Sequence, residues 1–393
     1  MNINKIRADF KILNQKNAPV YFDNACTTLR PNSVIDKMRE YYEIYPSCGG
    51  RSHHKIGERV TEEVLKARIE VAKFFNAKNE SEIIFTRNTT EGINLVANSL
   101  KWKKGDKVLC SDKEHNSNLV PWLLAKQRGI LKHEVFRFGD LNDFSKKVRG
   151  ARLVSIVHTS NVDGTSQDVK EMIKIAHENN SIVLIDTAQS APHKETDVRK
   201  LDCDFLACSG HKMLGPSGMG VLYGKMDLLK QLNQFIVGGE TVTNTNYTSF
   251  DAEKVPEKFE AGLQDYGGIV GFAEALKYLK KIGLNEIERY EQKLNERLTS
   301  GLLNLGVNII GSKDAKLRGG IVGFNVGKAD SHDVSMMLDS YNIATRSGMH
   351  CAHSWFNAHS IKGCSRASFY IYNTEDEVDF MLEKMKDIVK ILE

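Results

Sequence analysis

Lys212 and Asp186 are the first residues of this sequence whose types and settings could do chemistry together. Lys212 closes Ser209-Gly210-His211-Lys212, which follows the apolar run Phe205-Leu206-Ala207 and leads into Gly215-Pro216-Ser217-Gly218-Met219-Gly220. A lysine at a strand end in a glycine-rich turn is confined. Desolvation there lowers its amine toward a nucleophile able to form a Schiff base. Standing alone, it would read as an ordinary surface-loop lysine. Asp186 ends the run Ile182-Val183-Leu184-Ile185 and precedes Thr187-Ala188-Gln189. Ligands of open α/β sheets bind outside the carboxyl ends of strands, where a carboxylate could keep a ring nitrogen protonated and make the ring an electron sink. Alone, Asp186 would serve equally well as a helix cap. Cys351 lies in Arg346-Ser347-Gly348-Met349-His350-Cys351-Ala352, beside an arginine and a histidine. Nearby cations favour the thiolate, the reactive form of cysteine. Cys351 is therefore the expected nucleophile, whereas Cys110, Cys203 and Cys208 suit the core. His350, Cys351 and His353 could also hold a metal, but no second ligand pair of structural-zinc spacing accompanies them.

Other segments extend the constellation. Thr86-Arg87-Asn88-Thr89-Thr90-Glu91-Gly92 joins a strand to a helix, whose free N–H groups, with the hydroxyls of Thr89 and Thr90, would receive a phosphate. A capping box explains the same residues nearly as well. His115, in Lys113-Glu114-His115-Asn116, could stack on a planar ring, and the Asn161 amide, just past another strand, could bond a ring substituent. The alternatives are an exposed loop histidine and an ordinary loop amide. Arg366, in Ser365-Arg366-Ala367-Ser368-Phe369, could grip a carboxylate through two parallel hydrogen bonds, or simply cover a strand edge. Arg51, with His53 and His54 in a basic loop after Gly49-Gly50, is a further expected substrate contact. Amine, carboxylate, stacking ring and phosphate cradle together suit pyridoxal 5'-phosphate.

The elements that must position these residues alternate. Short apolar runs at 82–85, 107–109, 153–157 and 182–185 alternate with helical patterns near 57–75, 90–100, 119–128 and 168–179. That alternation predicts a largely parallel sheet flanked by helices, and the runs are apolar on both faces as buried strands should be. Further on, helices near 268–281 and 284–302 precede strands near 306–311 and 320–326, a helix near 331–340 and a last amphipathic helix near 375–392. A second, smaller α+β domain is expected, with the division in the irregular stretch 238–260. The domains are accordingly set at 17–260 and 261–393, with residues 1–16 packing on the smaller.

Composition narrows the class. At 393 residues, 41% hydrophobic and 26% charged, the chain is long enough for a large core and unlike disordered sequences. A net charge of +4 argues for neither nucleic acid nor membrane binding. Seven cysteines at irregular spacing fit reduced thiols and predict a cytoplasmic protein. The N-terminus lacks the apolar core of a signal peptide.

From Tyr21-Phe22-Asp23-Asn24-Ala25 to Arg366-Ala367-Ser368-Phe369-Tyr370-Ile371-Tyr372-Asn373-Thr374, the chain resembles the class V enzymes of fold-type I that use pyridoxal phosphate. It is most similar to the second, Suf-type group of cysteine desulfurases. The distinguishing motif is Arg-x-Gly-x-His-Cys-Ala, residues 346–352. The resemblance implies a seven-stranded, mostly parallel sheet and a homodimer. By it, Lys212 carries the cofactor, Asp186 pairs with its ring nitrogen, Gln189 bonds its phenolic oxygen, and His115 stacks on its ring. Thr90, Ser209 and His211 hold its phosphate, and Asn161 lies near substrate and cofactor oxygen. Cys351 accepts sulfur from L-cysteine, or L-selenocysteine takes its place as substrate, and Arg366 binds the carboxylate. The sulfur passes to an acceptor or scaffold protein for iron–sulfur cluster assembly. A lyase acting on selenocysteine, cysteine sulfinate or cystine, or an aminotransferase, would use the same cofactor. The chain departs from the family at Gly262-Leu263-Gln264-Asp265, where Gly-Thr-Pro is usual and the threonine reaches a phosphate across the dimer, at His115-Asn116, and at Asn24-Ala25-Cys26-Thr27-Thr28.

Overall fold

The apolar runs build a seven-stranded sheet whose side chains are covered on both faces: Ile83–Thr86, Leu153–Val157, Phe205–Ser209 and Gly220–Gly224 are buried throughout. The computed structural model describes residues 1–392. Across the sheet the strands run Ile83–Thr86, Gly220–Gly224, Phe205–Ser209, Ile182–Asp186, Leu153–Val157, Lys107–Ser111 and Lys132–Phe136. The last five pair in parallel. Gly220–Gly224 alone is antiparallel to both its neighbours. The expected mostly parallel, helix-flanked sheet is therefore the fold. Helices Lys55–Phe75 and Val169–Glu178 share a core with one face of the sheet, and Thr89–Ser99 and Val120–Gln127 share a core with the other. No helix among the described residues is long and apolar enough to cross a membrane.

The second unit is a four-stranded antiparallel sheet, ordered Asn308–Ile310, Ile321–Asn325, Cys364–Ser368 and Arg346–Gly348. Helices Leu284–Asn304, Ser331–Asp339 and Glu375–Leu392 close its core. A single cut at 260 does not divide the two units. Helix Tyr266–Ile282 buries Ile269, Phe272, Leu276 and Leu279 in the core of the large sheet, so the 261 boundary falls too early. The N-terminal segment is also differently placed: Ile6, Phe10 and Leu13 join the large core rather than the small one, although Arg7 bonds Tyr372 and Glu377. Val20–Tyr21 in turn adds a parallel strand to Ile343–Ala344, and Phe22 is buried in the small core. Apolar burial decides these placements, and it does not follow chain order.

Candidate active site

The carboxyl ends of three neighbouring strands, Leu153–Val157, Ile182–Asp186 and Phe205–Ser209, open into one cleft of about 850 Å³ that is partly open to solvent. Eleven of the twelve side chains singled out in the sequence line it: Thr89, Thr90, His115, Asn161, Asp186, Gln189, Ser209, His211, Lys212, Cys351 and Arg366. The small unit supplies the last two.

Lys212 ends the short turn Gly210–Lys212, which the carbonyl of His211 anchors by accepting the N–H of Thr28 at 2.9 Å and the hydroxyl of Thr27 at 3.1 Å. Its amine has no hydrogen bond or ion pair among the described residues. Burial lowers its pKa, Asp186 pulls the other way, and Arg366 adds to the lowering. Burial raises Asp186 above the usual carboxylate range, against the opposing effects of the Ala188 N–H, at 2.9 Å, and of Lys212. A buried carboxylate with so little cationic compensation suits a protonated ring nitrogen. His115 is pushed down to about 3 by burial, reinforced by Lys212 and Arg366. Its Nδ1 accepts the N–H of Ser117 at 3.1 Å, so the neutral ring carries its proton on Nε2.

Glu114 is fully buried, accepts the N–H of Val157 at 3.0 Å and the Asn118 amide at 2.7 Å, and is raised to about 8 by burial. On the phosphate side, the Asn88 side chain caps helix Thr89–Ser99 by accepting the Glu91 N–H, and the Thr89 N–H donates to Ser209 Oγ at 2.9 Å. The N–H of Thr90 is left without a protein acceptor among the described residues, and its hydroxyl meets Ser117 Oγ at 2.7 Å. The helix start lies close because residue 220 is glycine: a Cβ there would come within 2.6 Å of Asn88 Cα. His211, lowered to about 4 by burial, completes that end.

Cys351 is exposed, on a loop where both it and His350 take left-handed backbone conformations, φ 58° and 48°. Such conformations cost about 1–3 kcal/mol each and persist where the surroundings impose them. Here they do: the Cys351 carbonyl accepts the N–H of Asn116 at 2.6 Å, and the His350 carbonyl accepts the Asn161 amide at 2.6 Å. Arg366, from the middle of strand Cys364–Ser368, donates to the Asn161 carbonyl at 2.8 Å and lies 3.5 Å from Asp23. Asn161 Oδ1, Gln189 Oε1 and Arg366 Nε are all buried without a protein partner. Three orphaned polar atoms around one cleft fit a ligand rich in hydrogen-bonding groups.

The family model for class-V aminotransferases matches residues 20–381. The chain belongs to that family. A relative from Pyrococcus abyssi (strain GE5 / Orsay), described as a probable cysteine desulfurase, is 41% identical over 95% of each chain. The cysteine desulfurase of Escherichia coli O8 (strain IAI1) is 36% identical over 100% of this chain and 99% of its own. Among solved structures, apo cysteine desulfurase from Thermococcus onnurineus NA1 is similar with a TM-score of 0.96 and 39% identity over 99% of both chains.

This class-V chain departs from the sequence reading at Arg51, which lies outside the cleft. Arg51 is exposed and pairs with Glu240, and the neighbouring His54 caps helix Lys55–Phe75 through Gly57. A cation in a loop needs no buried partner, so sequence alone could not aim it. The cleft also takes in Cys26, Ser117, Thr159, Arg346 and His350. Arg346 and His350 were expected only as cations beside Cys351, and His350 as a candidate metal ligand, whereas Cys26 stood out only as a departure from the family pattern. No group of three or more His, Cys, Asp or Glu able to hold a metal occurs among the described residues.

Proposed function

We propose that the chain is a cysteine desulfurase that uses pyridoxal 5'-phosphate, removes sulfur from L-cysteine and leaves it as a persulfide on Cys351. The observation that carries this reading is the convergence of Lys212, Asp186, Arg366 and Cys351, from two units of the fold, on one cleft. Lys212 would bind the cofactor aldehyde, Asp186 its ring nitrogen and Gln189 its phenolic oxygen, with His115 against its ring. Thr89, Thr90, Ser209 and His211 would surround its phosphate. When bound, this cofactor withdraws electrons from the substrate's α-carbon. Arg366 orients the substrate by its carboxylate, and Asn161, bonded to both Arg366 and the Cys351 loop, registers one against the other. The amine of Lys212, its pKa lowered by burial, can move the α-proton. Cys351 Sγ forms the new S–S bond with substrate sulfur as the carbon–sulfur bond breaks, and the carbon skeleton leaves as alanine.

Exposed apolar side chains at Tyr42, Val237, Phe250 and Leu263 support assembly as a homodimer, in which Arg51 would meet substrate across the interface rather than in its own chain's cleft. Leu263, at the family's cross-subunit threonine position, is 72% exposed and offers no hydroxyl to a partner's phosphate. Seven free thiols suit a reducing cytoplasm, and the persulfide would pass to an acceptor protein. L-Selenocysteine, whose carbon–selenium bond breaks more readily, is a second substrate of the same cleft. The test is alanine formation from L-cysteine by the wild type and by Cys351→Ala. The variant should lose turnover while keeping bound cofactor; full activity in it would remove Cys351 from the chemistry.

A further inference from the structure

Cys26 stands in the wall of the cleft that holds Lys212, Arg346, Cys351 and Arg366. Of the seven thiols among the described residues, only Cys26 and Cys351 line it. Cys110, Cys203, Cys208 and Cys364 are buried in the cores. The Cys26 turn is fixed on both sides. The Ala25 N–H donates to Ser368 Oγ at 2.8 Å, the Ala25 carbonyl accepts the Gln189 amide at 2.6 Å, and the Thr27 hydroxyl donates to the His211 carbonyl at 3.1 Å. The Cys26 thiol itself has no hydrogen bond among the described residues and is half-buried, whereas Cys351 is exposed. Two guanidinium groups stand beside it, Arg346 and Arg366, whose shared anion is Asp23 at 3.2 and 3.5 Å.

We propose that Cys26 is a second sulfur carrier, taking the outer sulfur of a Cys351 persulfide when no acceptor collects it. The inference rests on the desulfurase reading. In the step, the Cys26 thiolate attacks the outer sulfur. A bond from that sulfur to Cys26 Sγ forms as its bond to Cys351 Sγ breaks, and Cys351 leaves as a thiolate that takes up the proton Cys26 gave up. Nothing is oxidised or reduced overall. A persulfide carries its outer sulfur about 2.05 Å beyond Sγ, which extends the reach of the exposed Cys351 into the cleft that Cys26 also lines. Transfer frees Cys351 for another substrate and stores sulfur at the less exposed of the two sites.

The experiment incubates the holoenzyme with L-cysteine, without acceptor or reductant, traps persulfides with an alkylating reagent and maps them by peptide mass spectrometry, with alanine measured in parallel. One extra sulfur is expected on the Cys351 peptide and then on the Cys26 peptide. Stored sulfur should approach about two per chain and fall to about one in Cys26→Ser. In Cys351→Ala the Cys26 peptide should carry none. A loaded Cys351 with an unmodified Cys26 in the wild type would overturn the proposal. So would sulfur on Cys26 in Cys351→Ala, which would make Cys26 a direct acceptor. A wild type that forms no alanine would defeat the desulfurase reading itself, and the carrier role with it.

Discussion

Burial, more than any partner, sets the protonation of the groups at the floor of the cleft. Asp186 is raised by desolvation and offset by one backbone N–H and by Lys212, so its carboxylate has room for one strong cationic hydrogen bond. Replacing it by Asn removes that charge-assisted bond, about 1.5–3 kcal/mol, and should lower kcat/KM for L-cysteine by about 10- to 150-fold. Steady-state alanine formation measures it. Lys212→Ala should abolish both turnover and the visible absorption of lysine-bound coenzyme, and a retained absorption band would show that another amine holds it. Residues such as Lys212 and Asp186 were readable because each closes an apolar run, and strand ends are where such sheets bind ligands. Cys26 was not readable as part of the wall. Its place depends on the Gln189 amide reaching the Ala25 carbonyl across 164 residues of sequence, which no local pattern encodes. Glu114 was passed over for a related reason, since a glutamate beside a loop histidine gives no sign that Val157, Ser111 and Asn118 will enclose it.

Among the elements, strand Ile83–Thr86 carries the phosphate-side helix start, and it is tied down by a buried ion pair. Glu260 takes both Arg68 Nη1 and Nη2, at 2.7 and 2.8 Å, and the Phe85 N–H at 2.7 Å, while Arg68 also donates to the Ile83 carbonyl. Glu260→Ala leaves the Arg68 charge buried without its partner and should cost about 3–5 kcal/mol, read from the urea midpoint. A loss under about 1 kcal/mol would mean that the arginine finds water instead. The strands that were legible are those apolar on both faces. Lys132–Phe136 escaped because it is an edge strand with exposed Lys132 and Val135, and Gly220–Gly224 because glycines bound it. Helix Asn32–Ile44 escaped too: only Val34 and Tyr41 are buried, and no side chain caps its start.

At the scale of the whole molecule, buried titratable groups make stability depend on pH from both sides. His115, His133, His211 and His350 are lowered to about 3, 4, 4 and 2 by burial, against about 6.5 when unfolded. Between those folded values and 6.5 the unfolded chain binds more protons, so stability rises with pH there and is lost as pH falls below about 6.5. Glu114, raised to about 8, has the opposite sign: the folded chain binds more protons above about 4.5, and that contribution is lost as pH rises toward 8. The melting temperature should therefore peak near pH 6.5 and fall more steeply on the acid side, where His158, also lowered by burial, joins those four histidines against the raised carboxyls of Glu114, Asp186 and Glu291. Equal melting temperatures at pH 5 and 6.5 would contradict this. The same long-range ties bear on synthesis. Val20–Tyr21 finds its strand partner only at Ile343–Ala344, and Asn24 its acceptors only at Ser368 and Asn373. A nascent chain still attached to the ribosome can complete the large sheet early and hold the turn bearing Ala25 and Cys26 through Gln189 and His211, yet that turn lacks its Ser368 anchor until the later strand has emerged. A transcript truncated before residue 346 would yield a protein with an assembled sheet and an open, unfinished cleft, without Arg346, Cys351 or Arg366.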